Sequence, residues 1–279
     1  MADPVAEGPS WRFQRAPDRL VVDDVEVALR RDGAGETVLF LHGVGFLRQW
    51  LPFHAALTER VDLIAPEHPG FGDTPLPGGF RGFLDYVLHY DALLALLQAD
   101  RLHLVGHGLG ARLAAHMATV YPSRFASLTL IAPSGLRQEQ EPLIDLFRMT
   151  YDALHAAQFN GREAAYADTY ALKGFPQDTL DDVADAVPHA LLTWTNRFDR
   201  RLERRLHRIQ CPTLVIAPEQ DRIGGTTAAA RYAELVPGSA LVTPAGPGGD
   251  PSSYAVLIEQ PAEVAALVAD HVDSTTKGN

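Results

Sequence analysis

The 279-residue sequence contains a single cysteine, Cys211, which excludes an intramolecular disulfide framework and favours a buried thiol. It has no run of 18 or more apolar residues and no basic-then-apolar opening, so we expect neither a membrane span nor a signal peptide. Positive charge is scarce: 24 Lys and Arg against 35 Asp and Glu give a net charge of -11. This charge disfavours nucleic acid and anionic membranes as partners. These absences together predict a cytoplasmic protein that binds a largely apolar small molecule.

Sequence signals for metals and nucleotides are also missing. The histidines show no H-E-x-x-H spacing, and Glu67-His68 alone is no ligand signal. Gly106, Gly108 and Gly110 follow the spacing G-x-G-x-G, whereas a dinucleotide fingerprint has G-x-G-x-x-G and an acidic residue about 20 positions later. We therefore predict no metal and no cofactor.

Short apolar runs alternate with helical patterns, which is typical of parallel strands joined by crossover helices. From residue 137 to residue 207 the pattern is helical, charged and aromatic without a strand. We expect a flexible tail over 1–18, an α/β core over 19–136 and 208–279, and a helical cap over 137–207. The strands are predicted at 20–29 (an antiparallel pair), 37–41, 61–65, 102–105, 128–131, 213–217 and 240–242, with helices at 83–97 and 109–120.

Four motifs occur in order along the chain: residues 42–46 (HGVGF), 66–74 (PEHPGFGDT), 106–110 (GHGLG), and Asp221 followed by residues 259–261 (EQP). Over residues 20–272 they resemble the α/β-hydrolase superfamily, most closely its cap-bearing esterase and carbon–carbon-bond hydrolase branch. The resemblance implies an α/β-hydrolase fold, in which a mostly parallel sheet is flanked by helices and carries an inserted helical cap.

The resemblance also assigns the site. It places the oxyanion amides at Val44 and Leu109 and the triad acid at Asp221, but the position of the nucleophilic serine holds Gly108. Counting five residues back from the Glu of the EQP element, where the family has its histidine, gives Tyr254. Glycine has no side chain and forms no acyl-enzyme, so a degenerate triad follows.

Further residues are candidates for the pocket. The resemblance makes residues 42–46 the oxyanion loop, which includes Gly45 and Phe46, and residues 106–110 the nucleophile elbow, which includes His107. We expect His107 to be a poor substitute base. His271, in the last helix, is expected on the surface. Residues that could reach the pocket from the cap or its start are Ser134, His155, His189 and Trp194.

Three functions fit these residues. The first is an enzyme without nucleophilic catalysis, such as a cyclase, isomerase, lyase or water-mediated hydrolase, in which Tyr254 donates a proton or stabilises an anion and Asp221 orients it. The second is a non-catalytic pseudo-hydrolase that only binds a small ligand. The third is an esterase that uses a relocated nucleophile, for which Ser134 is the best-placed hydroxyl. A homodimer is compatible with all three.

Overall fold

The computed structural model describes residues 17–47, 49–99, 101–136, 145–170 and 177–276. Most of the predicted tail therefore lies outside the described residues. The first strand begins at Asp18, so the tail predicted over 1–18 overlaps that strand by one residue.

Eight strands form one sheet. Most of their ends lie within one or two residues of the predicted apolar runs. The second strand ends four residues later than predicted and the sixth begins three residues earlier, because flanking residues extend the ladder. The strands are β1 Asp18–Val22, β2 Val25–Gly33, β3 Thr37–Leu41, β4 Asp62–Pro66, β5 Leu102–His107, β6 Phe125–Ile131, β7 Thr213–Ile216 and β8 Ala240–Val242.

The strand order across the sheet is β1-β2-β4-β3-β5-β6-β7-β8. Strand β2 pairs antiparallel with both β1 and β4, and all other neighbouring strands are parallel. Since parallel strands end at the same edge, the loops after β3, β5, β7 and β8 gather at one end of the sheet. That edge holds the family motifs.

The helices connect the strands and cover the sheet. The two helices predicted in the first half are confirmed as α2 and α3, and the shorter α1 lies between β3 and β4. The α-helices are α1 Pro52–Leu57, α2 Phe83–Leu96, α3 Leu109–Val120, α4 Tyr151–Gln158, α5 Ala167–Tyr170, α6 Gln177–Thr193, α7 Arg200–Glu203, α8 Thr226–Leu235, α9 Val256–Glu259 and α10 Pro261–Thr276.

Side-chain alternation along the strands divides the core into two layers. On β3, Leu39 and Leu41 join the apolar cluster that includes α2, α3 and α8, whereas Val38 and Phe40 join the cluster that includes α1 and α10. Each fully buried Leu or Phe contributes about 1.5–3 kcal/mol through the hydrophobic effect. A sheet covered on both faces is what the near-continuous apolar strands predict.

The described residues between β6 and β7 contain helices and turns and no strand, in agreement with the sequence pattern. The division into a core and a separate cap remains a prediction, and residues 137–144 and 171–176 lie outside the described residues. In the described part of the chain, no helix is long and apolar enough to cross a membrane. Cys211 is buried as expected, and burial raises the pKa of its thiol to about 11.

Candidate functional site

The turn between β5 and α3 is a sharp one with Gly108 at its apex, at φ 54° and ψ −111°. The helix lies close against the sheet here. A Cβ on Gly106 would lie 2.6 Å from Cα of Ala111, and a Cβ on Gly110 would lie 2.5 Å from the carbonyl oxygen of His42. Glycine adopts this positive φ without the strain of about 1–3 kcal/mol that other residues incur. The structure thus has the strand–turn–helix geometry of a nucleophile elbow with no side chain at its apex.

The ring of Tyr254 fills the space above this apex. A Cβ added to Gly108 would lie 2.9 Å from Cε2 of the ring and closer still to the hydroxyl oxygen. A Cβ added to Gly43, in the loop after β3, would meet the same oxygen. The side chain is 1% exposed and packs beside Phe46, with ring centroids 6.2 Å apart. Two glycines therefore form a cradle for the phenol hydroxyl.

The hydroxyl of Tyr254 is held by the loop that follows β3. The amide of Val44 donates to Oη at 3.2 Å, and Oη donates to the carbonyl oxygen of Val44 over a longer 3.4 Å. Burial and then the nearby charge of Asp221 raise the pKa of Tyr254 above its usual value. The side chain is therefore a neutral phenol at pH 7. We expected the Val44 amide to bind substrate directly, but here its hydrogen bond goes to Tyr254.

His107 fixes the backbone beneath that tyrosine. Its Nε2 lies 3.0 Å from the carbonyl oxygen of Tyr254. Burial lowers the pKa of His107 to about 4, so the ring is neutral at pH 7. Because a carbonyl oxygen only accepts, the hydrogen is on Nε2, and Nδ1 carries a lone pair. That nitrogen would lie 2.7 Å from a Cβ on Gly43. Such a low pKa agrees with the expectation of a poor base.

The loop that presents Tyr254 is anchored on both sides. Ser252 accepts a hydrogen bond from an amide and donates one to a carbonyl oxygen, and the amide and hydroxyl of Ser253 both donate to Glu259. The carboxylate of Glu259 is fully buried and pairs with Arg162 at 2.7 Å. Breaking such a buried pair by removing one partner is strongly destabilising. These contacts hold the tyrosine in one place.

Asp221 follows β7 at the same edge of the sheet and is 5% exposed. Its carboxylate accepts hydrogen bonds from the amides of Ile223 and Gly224 at 2.8 and 2.9 Å. A Cβ on Gly224 would lie 2.8 Å from Oδ2, so the loop wraps closely around the carboxylate. Its charge affects the pKa of Tyr254, while a hydrogen bond that orients the phenol remains a prediction.

Two more predicted residues lie next to the elbow. Leu109 is the first residue of α3, where amides have no partner within the helix and point toward the turn. The amide of Ser134 donates to the carbonyl oxygen of Gly108 at 3.3 Å. The carbonyl oxygen of Ser134 accepts from the hydroxyl of Tyr232 at 2.9 Å. Its backbone therefore braces the elbow, and its role as a nucleophile remains a prediction.

Of the three candidates predicted in the cap, two side chains are buried and one is exposed. His155, on α4, is 6% exposed and its ring centroid lies 4.2 Å from that of Tyr151. His189 is also buried and contacts Phe147, with centroids 5.1 Å apart. Trp194 touches the same phenylalanine but is 63% exposed. Their roles in ligand binding remain predictions.

His271, which we expected on the surface, is half-buried and lies at the other end of the sheet from the elbow. Its Nε2–H donates to the carbonyl oxygen of Pro212 at 3.3 Å, just before the first residue of β7. The elbow lies beyond the carboxyl ends of the strands. This histidine therefore does not lie at the elbow.

Sequence reasoning missed Gln158, the last residue of α4. Its side chain is 1% exposed, and its Nε2 lies 3.4 Å from the carbonyl oxygen of Val44. Its backbone carbonyl accepts from the amide of Ala255 at 3.0 Å, next to the tyrosine. A single glutamine at a helix end carries no motif, so no signal in the sequence marked it.

A buried cluster of charges joins α3 to the residues that lead into α7. Arg112, 1% exposed, donates to the carbonyl oxygens of Asn196 and Arg197 and to the carboxylate of Asp199. His116 donates to the same carboxylate at 2.9 Å. Burial alone would raise the pKa of Asp199, but hydrogen bonds from His116 and from an amide hold it well below its usual range. The helix of the elbow is therefore fastened to the segment before β7.

The described residues contain no group of three or more histidine, cysteine, aspartate or glutamate side chains placed to hold a metal ion.

Comparison with known proteins agrees with this geometry. The model of the Alpha/beta hydrolase family matches residues 38–267, which include the oxyanion loop, the elbow, Asp221 and Tyr254. The chain belongs to the alpha/beta hydrolase family. Its membership accounts for the sheet order and for the position of the site at the carboxyl ends of the parallel strands.

Relatives within the alpha/beta hydrolase family are distant. An uncharacterised protein of Mycobacterium tuberculosis is 24% identical over 262 residues, covering 84% of this chain and 77% of that protein. The 2-hydroxy-6-oxo-2,4-heptadienoate hydrolase of Pseudomonas putida is 32% identical over 120 residues, covering 41% and 44%. The structure of 2-hydroxy-6-oxo-6-phenylhexa-2,4-dienoate hydrolase from Rhodococcus superposes with a TM-score of 0.72 at 18% identity, covering 92% of this chain and 98% of that one. At this identity the structural likeness shows the fold.

Proposed function

We propose that this chain is an alpha/beta hydrolase-family enzyme with a degenerate triad, in which Gly108 replaces the nucleophile and Tyr254 replaces the histidine. It acts on a small, largely apolar carbonyl compound without an acyl-enzyme. One observation carries the proposal. The Tyr254 hydroxyl lies in the glycine cradle above the elbow and accepts its hydrogen bond from the amide of Val44, the predicted oxyanion donor.

In this proposal the hydroxyl of Tyr254 lies between the amide of Val44 and the substrate oxygen. The amide of Val44 donates to Oη, which polarises the O–H bond toward an acceptor. The present acceptor, the carbonyl oxygen of Val44, is 3.4 Å away, whereas ordinary O–H···O bonds measure about 2.5–3.0 Å. A substrate carbonyl oxygen at normal distance is a better acceptor. The raised pKa of Tyr254 makes it a stabiliser of negative charge that keeps its proton.

This arrangement suits reactions that pass through an enolate or another oxyanion. Cyclisation, isomerisation, dehydration, carbon–carbon lysis and hydrolysis by a bound water all develop charge on a carbonyl oxygen. The amide of Leu109, at the start of α3, adds the positive end of a helix dipole to the same place. One well-placed donor in a dry site contributes about 10²–10³ in rate.

A specific observation favours a second candidate, a pseudo-hydrolase that binds its ligand unchanged. Proton transfer is most efficient when the acid or base has a pKa near 7. Burial moves the two titratable groups at the elbow away from that value, because the pKa of His107 falls to about 4 and the pKa of Tyr254 rises. A site that only binds needs neither group to ionise.

The test is mass spectrometry of a small-molecule extract from the source cells after incubation with the protein. Native chain, Tyr254→Phe and heat-killed protein are compared, with Tyr86→Phe as a matched control that removes another buried hydroxyl, bonded to Pro69. We expect one compound to be converted by native protein and Tyr86→Phe, and about 10²–10³-fold more slowly by Tyr254→Phe. Normal turnover by Tyr254→Phe would refute its role. Compounds that are retained but unaltered would establish the pseudo-hydrolase.

A fluorophosphonate probe separates these candidates from an esterase with a relocated nucleophile. Such probes label activated serines covalently, so the proposed enzyme stays unlabelled. A labelled peptide that contains Ser134 would replace the proposal with the third function.

A further inference from the structure

The side chain of Gln158 lies on the oxyanion loop, directly beside the Tyr254 hydroxyl. A Cβ on Gly45 would lie 3.3 Å from Cδ of the glutamine and 3.4 Å from its Oε1, with Nε2 nearer still. Gly45 adopts φ 101°, a conformation that favours glycine, and no side chain separates its backbone from the amide. The glutamine and the phenol hydroxyl both donate to the carbonyl oxygen of Val44, each over 3.4 Å. The two groups therefore belong to one site.

Donor and acceptor requirements fix the orientation of the amide. If its two terminal atoms were exchanged, Oε1 would face the carbonyl oxygen of Val44 and two acceptors would repel each other. With Nε2 toward Val44, the carbonyl oxygen of the side chain is left facing Gly45.

That oxygen is buried and unsatisfied. Among the described residues, Oε1 of Gln158 has no hydrogen-bond partner, although the residue is 1% exposed. Buried acceptors in native proteins are almost always satisfied, so an unsatisfied acceptor that shares a site with the Tyr254 hydroxyl is open to a donor from a ligand. Val44 and Gly45 are partly exposed and mark the side from which a ligand reaches the amide.

We propose that Gln158 determines substrate specificity and that the substrate carries an N–H or O–H donor next to its carbonyl group, as a primary carboxamide does. The inference rests on the proposed function, in which Tyr254 binds the carbonyl oxygen. The ligand oxygen accepts from the phenol, and the neighbouring N–H or O–H donates to Oε1 of Gln158. Gln158 thereby favours carbonyl compounds with a neighbouring donor over those without one, whereas Tyr254 binds the carbonyl oxygen of both.

The experiment compares two probes of nearly the same shape, benzamide and acetophenone, which differ by an amide NH₂ in place of a methyl group. Their dissociation constants are measured by NMR titration with native protein, with Gln158→Met and with Gln210→Met, an exposed glutamine that serves as a matched control. We expect native protein and Gln210→Met to bind benzamide about 2–12-fold more tightly, the net effect of one hydrogen bond. In Gln158→Met the ratio falls to about one.

The outcomes distinguish a failure of the specificity role of Gln158 from a failure of the proposed carbonyl site. Equal binding of both probes by native protein overturns the specificity role and leaves the proposed carbonyl site standing. If neither probe binds to native protein, the carbonyl site and the inference are both refuted. Thermal unfolding gives a second readout, because Gln158→Met removes an unsatisfied acceptor and is expected to leave the Tm of free protein unchanged or higher. A lowered Tm with an unchanged probe ratio would show a purely structural role.

Discussion

Adding one methyl group at the elbow tests the description of the cradle most directly. Gly108→Ala introduces a Cβ at φ 54° and ψ −111°, within 2.9 Å of Cε2 of Tyr254. The change removes no contact and no hydrogen bond. Its cost therefore has two sources, the backbone conformation and the overlap with the tyrosine ring.

The two sources have separate magnitudes. Backbone strain at this conformation costs about 1–3 kcal/mol. Overpacking against an anchored ring costs a further 1–3 kcal/mol, roughly. We expect Gly108→Ala to lower the free energy of unfolding by about 2–6 kcal/mol, and each kcal/mol to lower the Tm by roughly 2–4 °C for a domain near this size. Tyr254→Leu replaces the ring with a smaller side chain and so removes the overlap. In the double variant, Gly108→Ala should therefore cost about 1–3 kcal/mol less than it does beside Tyr254.

Urea unfolding of the native chain, both single variants and the double variant measures this coupling. Gly238→Ala is the control for strain alone, because its φ is 68° and nothing lies within 4 Å of the added Cβ. It should cost about 1–3 kcal/mol, with no dependence on residue 254. Strictly additive effects of Gly108→Ala and Tyr254→Leu would show that the tyrosine does not fill the cradle.

Two further predictions concern pH and the triad. Burial lowers the pKa of His54 to about 3 and of His107 and His189 to about 4, below the unfolded value near 6.5. Their contribution to stability is therefore present above pH 6.5 and lost as pH falls toward 4, at about 1.4 kcal/mol per pH unit for each histidine. Urea unfolding at pH 7 and pH 5 checks this slope, which equal stabilities would contradict. Gly108→Ser combined with Tyr254→His should hydrolyse p-nitrophenyl acetate at least about 10²-fold faster than either single variant, because a base then adjoins a hydroxyl. Equal rates would show that these positions do not belong to a triad.

Much of the fold was predictable because local pattern and global architecture agree. Apolar runs such as the one along β3 are short, bounded by turns and separated by helical periods, and the structure confirms their bounds closely. The six-residue helix α1 is too short to show a period and was not predicted. The resemblance to the family predicted Gly108 and Tyr254 at one site, and the phenol hydroxyl does lie against Gly108.

The finer parts of the site depend on contacts between distant parts of the chain. Gln158 reaches Val44 across 114 positions, and Arg162 reaches Glu259 across 97. Neither pair has a spacing rule, since both depend on how α4 and the turn after it dock on the sheet. The same holds for the hydrogen bond from Val44 to Tyr254, which joins positions 210 apart.

The glycines on either side of the elbow have a consequence for how such a protein changes over time. Gly106 and Gly110 let α3 approach the sheet closely, and this approach sets the turn whatever residue stands at its apex. Architecture and reactivity are thus encoded at different positions. A side chain at the apex fits the scaffold once Tyr254 no longer fills the space above it, so residues 108 and 254 must change together when an old chemistry is abandoned or regained.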